Sequence, residues 1–298
     1  MLLNPHWRFT ADRCVTDEAA VAMARLSALE PLFISGGRLA HALQHEVDAE
    51  LKAATGDFRI DVVTRADRAV QEVIVAGLVE AGLDFCTLVA EETPLPGQVD
   101  LRGRFAPRGA LSITLDPIDG TSRYVAGHEW FSTIVGLHDG RQPLYTFMFY
   151  PALDWWVRIH DREITMSGPP PVDLTHLGLE RTVVFTAGSP ARDAPEAFEA
   201  LCAQGVAFRS GESVHPCGSK YLYLSGHAGG YFAGSPNPYD GLFALHCALA
   251  RGSTVLARGA SSEASLDLTR CENGPRGAFH PGWYLAAPNA SVGLTFAH

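Results

Sequence analysis

Leu111-Ser-Ile-Thr-Leu115-Asp-Pro-Ile-Asp-Gly-Thr121 is the stretch on which the reading of this chain turns. Leu111 to Leu115 alternate apolar and polar residues, as a half-buried strand does. The chain then changes character. Pro117 fixes one φ angle and disfavours helix at Asp116, while Gly120 permits close backbone approach. Asp116 and Asp119 share a tight turn, so their carboxylates can converge on one point. Thr121 follows near the start of a helix or turn, where backbone N–H groups can receive a phosphate.

Three other segments carry acidic or hydroxyl residues in comparable settings. Leu88-Val-Ala-Glu-Glu-Thr93 places Glu91 and Glu92 after an apolar, strand-like run. Pro238-Tyr-Asp240 precedes a helical pattern over Gly241–Arg251, with Asp240 placed to act as its N-cap. Val63-Thr-Arg-Ala-Asp67 reads as a strand-to-helix turn. Each alone is also an ordinary turn, cap or solvated loop. Together they supply oxygen ligands from several chain segments, the donor set of a hard cation such as Mg²⁺. Two such ions about 3.5–4 Å apart can hold the attacking and leaving oxygens of a phosphoryl displacement.

Bulk composition narrows the partners. The 298 residues are 47% hydrophobic, enough for a large core, and the formal charge of −10 lacks the basic footprint of a nucleic-acid or anionic-membrane binder. A phosphate ester would need cations to invert the local charge of an acidic cluster. Cysteines 14, 86, 202, 217, 247 and 271 have neither zinc spacing nor a disulfide framework. With no secretion-like N-terminus and no apolar run of ~18–20 residues, the expectation is a soluble, cytoplasmic protein.

The first third reads as helical from Asp17 to about Ala54, interrupted at Pro31 and at Gly36-Gly37, with a further helix after Asp67. Strands are expected at Phe131–Leu137, Tyr145–Tyr150 (parted by the turn Asp139-Gly140), Thr182–Thr186 and Thr254–Ala257, and helices at about 193–203, 218–228 and 240–251. Gly168-Pro-Pro-Pro171 is the linker candidate, dividing an N-terminal lobe over 1–165 from a C-terminal lobe over 172–298. The expected class is α+β tending to layered α/β.

At these residues the chain resembles the inositol monophosphatase family of lithium-sensitive, metal-dependent phosphatases. The Leu115–Thr121 motif stands intact, with Glu91-Glu92 upstream, Val63-Thr64 and Ala66-Asp67 before that, and Gly218-Ser219 and Asp240 in order after it. Tyr239 replaces the family's Trp. The resemblance implies an α-β-α-β-α sandwich, a homodimer, and two or three Mg²⁺ ions. Glu91, Asp116 and the Ile118 carbonyl would hold the first ion, and Asp116, Asp119 and Asp240 the second. Thr121, paired with Asp67, would handle the nucleophilic water together with Glu91, while Glu92 supports.

Substrate contacts implied by the resemblance come from Asp119, Gly120, Thr121, Ser122, Arg123, Ser219, Lys220 and Asp240. The implied activity is hydrolysis of a small phosphorylated alcohol by a metal-activated water. Inositol or another cyclitol phosphate, histidinol phosphate, a sugar phosphate and a 3′-phosphonucleotide are the candidates. A catalytically weak binding or regulatory protein is the alternative. Phe131–Gly140 and Pro238-Tyr239 look like the histidinol-phosphate branch, whereas Ala233 stands where members acting on inositol phosphate or histidinol phosphate usually carry a glutamate, seven residues before Asp240. Arg123 reads as a second anchor for the ligand or a surface ion pair. Lys220 lies within reach of the inferred cleft, though a solvated side chain is the commoner fate of a lysine. His215 and Cys217 read as packing, His128 and Glu129 as structural, and Trp155-Trp156 as core or dimer surface.

Overall fold

The computed structural model describes residues 15–51, 58–92, 100–186, 188–234, 238–257 and 283–288. Cys14, Thr93 and Cys271 lie outside them.

Helix α1 (Asp17–Ala28) is capped by Thr16, whose hydroxyl accepts from the Ala19 amide at 3.2 Å. The chain restarts at once as α2 (Glu30–Leu51), with Pro31 in the first turn, where its missing N–H is not needed. Gly36 and Gly37 do not interrupt α2. They let it close on its neighbours: a Cβ at Gly37 would stand 2.6 Å from the Phe149 ring, and one at Gly36 would stand 3.2 Å from Ile74. Helix α3 (Phe58–Glu80) buries Ala66, Val70, Ile74 and Leu78 on one stripe, and Asp67 and Gln71 share it. Asp67 therefore sits inside a helix, not at a strand-to-helix turn. Its segment is too short for periodicity to tell strand from helix.

Strands β1 (Thr87–Ala90), β2 (Ser112–Asp119), β3 (Ser132–His138), β4 (Pro143–Tyr150), β5 (Trp155–His160) and β6 (Glu163–Met166) form one sheet in chain order. Only β1 and β2 are parallel; the later pairs are antiparallel. Between β2 and β3 runs the short helix α4 (Thr121–Val125). The second sheet, with the order β10-β11-β9-β7-β8, comes from β7 (Thr182–Phe185), β8 (Ala207–Ser210), β9 (Gly230–Ala233), β10 (Val255–Ala257) and β11 (Tyr284–Ala286). Helices α5 (Pro190–Asp193), α6 (Pro195–Ala203), α7 (Gly211–Val214), α8 (Gly218–Leu224) and α9 (Pro238–Ala250) are the remaining described α-helices.

Three apolar clusters set the layering. Val135, Leu137, Phe147 and Phe149 pack against α1–α3, while Ile134, Met148 and Trp155 pack on the opposite face against α8 and α9. The second sheet alternates in the same way. Val184, Tyr231 and Tyr284 meet α8 and α9, and Val183, Phe232 and Leu285 meet Ala197 and Leu201 of α6. The result is the expected α-β-α-β-α sandwich. Both faces of each sheet are covered, and every residue of β3 and β4 is buried. The Gly168–Pro171 cluster lies in the connection between the two sheets.

Cys86, Cys202, Cys217 and Cys247 are free thiols. No single described helix is long and apolar enough to cross a membrane; α1 and residues 30–44 pass the length and composition test only as a pair bent by 49°.

Candidate active site

The site begins with a bulge. Asp116 pairs with Ile134 and Asp119 with Ser132, so β2 spends one residue more than β3 over this interval. In a regular strand, residues three apart face opposite sides; the extra residue returns Asp119 to the side of Asp116. Pro117 is tolerated in an interior strand because it sits at this irregularity, and its carbonyl accepts the Thr133 hydroxyl at 2.9 Å. Ile118 turns the other way, into the core beneath α3. Gly120 then takes φ +90°, open to glycine, and starts α4.

Glu91 reaches Asp116 by register. Ala90 pairs with Leu115, and the Glu91 amide donates to the Leu115 carbonyl at 3.1 Å, which places the next residues side by side. Gln71 fixes this strand exit: its amide group donates to the Glu92 carbonyl at 2.8 Å and accepts from the Glu92 N–H at 3.0 Å. The Glu92 carboxylate lies 3.8 Å from Arg68, a supporting position.

Among the described residues, no cationic side chain pairs with Glu91 or Asp116, though the charge of Lys220 acts on Asp116. Burial, together with Glu92, Asp119 and Asp240 and against a contact with Asp116, pushes the Glu91 carboxyl up to about 7. Burial and the charges of Glu91 and Asp119 hold Asp116 well above the usual carboxylate range. Asp116 Oδ1 is buried without a hydrogen-bond partner. Asp67, 2% exposed, is pushed up to about 9 by burial and by Glu92 and Glu91, and its Oδ1 also lacks a partner. The Thr121 hydroxyl does not join Asp67. It donates to the Ile118 carbonyl at 3.1 Å, folding back on its own turn.

The other half of the cluster is different. Asp240 lies in the first turn of α9, which begins at Pro238, so it is not the N-cap. Lys220, on α8, is not solvated. Its Nζ lies 2.6 Å from Asp119 Oδ1 and 3.5 Å from Asp240 Oδ2. The second oxygen of Asp119 accepts the Ser132 hydroxyl at 3.2 Å. Burial works against the charge of Lys220, but Asp119 and Asp240 outweigh it and keep the ammonium protonated well above the usual lysine range. Of the place implied for a second Mg²⁺ by Asp116, Asp119 and Asp240, the Asp119–Asp240 side is thus held by a protein cation. A lone charge within an otherwise buried helix, Gly218–Leu224, and only two lysines in the chain were the signals of a built role.

Beside this half opens a cleft of about 150 Å³. Among the residues lining it are Asp119, Gly120, Ser122, Arg123, Lys220 and Asp240. Sequence reasoning missed Thr186, Glu212 and Tyr231, which also line it and come from segments distant in sequence. Ala233 lines it too. Arg123 donates to Glu212 at 3.0 Å, and its guanidinium lies over Gly218, where a Cβ would stand 2.3 Å from it. Ser219 is 1% exposed, with its hydroxyl paired to Thr186. Cys217 is buried, and His215 meets the Trp130 ring edge-on at 5.7 Å.

Among the described residues, no three acidic, histidine or cysteine side chains gather as a ready metal site. The cluster is instead two pairs. Glu91 and Asp116, side by side by strand register, suit a Mg²⁺ ion, which takes one or two carboxylates and keeps several waters. The Asp119–Asp240 pair, closed on Lys220, does not.

The inositol monophosphatase family model matches residues 27–250. The chain belongs to the inositol monophosphatase family. Solved structures share the fold at low identity. Mycobacterium tuberculosis SuhB aligns at a TM-score of 0.56 and 16% identity, covering 90% of this chain and 93% of its own. Inositol monophosphatase II from Staphylococcus aureus MSSA476 aligns at 0.55 and 17%, covering 90% and 92%. SaIMPase-II with inositol monophosphate bound aligns at 0.53 and 15%, covering 90% of both chains. No curated protein matches the chain in sequence. Family membership makes the chain a member of a group of phosphatases acting on small phosphate esters.

Proposed function

We propose that the chain is a Mg²⁺-dependent phosphomonoesterase of a small phosphorylated alcohol, with Glu91, Asp116 and the Ile118 carbonyl holding the ion. The observation that carries this reading is the buried Asp116 carboxyl beside the half-buried Glu91 carboxyl on neighbouring parallel strands, with Asp116 Oδ1 lacking any partner. Two carboxylates crowded away from water without a cation are costly, and a divalent ion relieves both the repulsion and the missing partner. Magnesium held there would supply positive charge to the phosphoryl oxygens and activate water for attack.

The remaining work falls to the chain. Gly120 and Thr121, at the start of α4, offer amides to the phosphate. Thr121 keeps the Ile118 carbonyl oriented, and that oxygen has a second lone pair for a ligand. Glu91 would accept the proton of the attacking water, and Asp67, buried nearby with its carboxyl pushed up to about 9, stays a protonated group beside it. Ser122 and Arg123 face the alcohol end.

The cleft is small beside the ~300–1,000 Å³ pockets of drug-sized ligands, which favours a compact ester over a polymer. The candidates are cyclitol phosphates, histidinol phosphate, sugar phosphates and 3′-phosphonucleotides. Lithium inhibition, a homodimer, the two lobes over 1–165 and 172–298, and a cytoplasmic setting belong to the same reading.

One observation favours the alternative of a weakly catalytic binding protein: Lys220 already neutralises part of the carboxylate cluster. Phosphate release from a panel of these esters, with and without Mg²⁺, separates the two. Robust Mg²⁺-dependent turnover of any ester establishes the enzyme; binding without turnover across the panel establishes the alternative.

A further inference from the structure

The geometry points to Lys220 as a built-in cation that replaces the second divalent ion, so that the active site works with a single Mg²⁺ on the Glu91–Asp116 side. The inference rests on the metal-phosphatase reading and concerns the number of ions, not the reaction class. Its core is the bridge itself. One ammonium contacts Asp119 at 2.6 Å and Asp240 at 3.5 Å, and these are two of the three carboxylates implied for a second ion. Asp119 is engaged at both oxygens, by Lys220 on one and by Ser132 on the other.

The bridge is built rather than incidental, because three further contacts fix where Lys220 stands. Ser219, its neighbour on α8, is pressed against Gly211, where a Cβ would fall 2.2 Å from the Ser219 amide. The Ser219 hydroxyl pairs with Thr186 on the far side. Gly218, at φ +76°, lets the chain turn into α8 beneath the Arg123 guanidinium. The Lys220 side chain itself is only 14% exposed. A lysine so held acts as a point charge with three donors. One is spent on Asp119, Asp240 adds an ion pair, and a further donor is available to a phosphoryl oxygen in the cleft that Lys220 lines.

Mn²⁺ reports the ion number without depending on turnover. Two Mn²⁺ ions about 3.5–4 Å apart couple magnetically, and a single ion does not. Mn²⁺ titrated into the metal-stripped wild type should give uncoupled ions only in the electron paramagnetic resonance spectrum. Lys220→Ala should gain one bound ion by calorimetry and show the coupled signal, and Lys220→Arg should behave as wild type. A coupled pair in the wild type overturns the inference and leaves the phosphatase reading standing. So does a Lys220→Ala protein that stays uncoupled with the wild-type ion count. A wild type that binds no Mn²⁺ overturns the metal-phosphatase reading as well. Should Lys220→Ala fail to fold, the wild-type spectrum alone still decides.

Discussion

The acidic cluster divides into halves that solve one physical problem in opposite ways. Glu91, half-buried at the exit of β1, and Asp116, buried in the parallel neighbour β2, lie side by side. Among the described residues no cationic side chain pairs with either, the charge of Lys220 being only a lesser influence on Asp116. Asp119 and Asp240 come from a strand bulge and a helix turn, and they close on Lys220. The first half is an unmet demand for positive charge; the second has met it from within the chain. Equal carboxylate counts therefore do not mean equal ion sites. What a neighbouring helix brings decides.

The largest effect should come from the half without a cation. Asp116→Asn should lower kcat/KM for phosphate release by ~10³-fold or more, since several kcal/mol of charge stabilisation goes with the ion. Its melting temperature in the absence of metal should equal or exceed that of the parent, because a crowded buried carboxyl is removed. A metal-free Asp116→Asn that melts well below the parent would show that the pair is not strained.

The second half depends on where α9 sits. Gly136 in β3 lets the helix approach: a Cβ there would stand 2.5 Å from Thr114 Oγ1 and 2.7 Å from Leu242 on α9. Gly136→Ala should cost up to about 3 kcal/mol in urea unfolding. It should also reduce turnover by moving Asp240. Unchanged stability would mean that the helix yields freely and the Asp240–Lys220 contact is soft.

A pH test probes the same helix. His246 is fully buried on α9, where its Nε2–H donates to the Asp161 carbonyl at 2.7 Å and its Nδ1 accepts the Thr146 hydroxyl at 3.0 Å. Burial lowers its pKa from 6.5 to about 3. The unfolded chain binds this proton first, so the stability contribution is present above pH 6.5 and is lost as pH falls toward 3. Between pH 6.5 and 5 the loss should be about 2 kcal/mol, and His246→Gln should remove that part of the slope. An identical slope in the variant would exclude His246 as its source.

The smallest effect belongs to the cleft. Arg123 is paired with an exposed Glu212, so Arg123→Ala should raise KM roughly three- to tenfold, with kcat within about twofold. A loss of kcat instead would place Arg123 at the phosphoryl group rather than at the alcohol end.

Much of the first half could be read from sequence, because its determinants are local. Pro117 and Gly120 mark the turn, and an apolar run before Glu91 marks a strand exit. The restart at Pro31 was legible for the same reason. The second half was not. That Lys220 meets Asp119, a hundred and one positions away, depends on how α8 packs between the sheets, and neighbouring residues do not encode it. Strands β5 and β6 lay hidden too. Trp155-Trp156 suggested core or interface, and only the pairing with β4 shows the alternation, with Trp155, Val157 and Ile159 inward. Gly36-Gly37 misled because a glycine pair reads as a helix breaker when it is a contact surface.

The deciding measurement is the Mg²⁺ dependence of phosphate release by the metal-stripped chain on its best ester. Release should be absent without the ion and should rise hyperbolically, as for one Mg²⁺ per site. Release that persists without divalent ions, or that rises with the square of Mg²⁺ concentration, would contradict a site with one ion and one lysine.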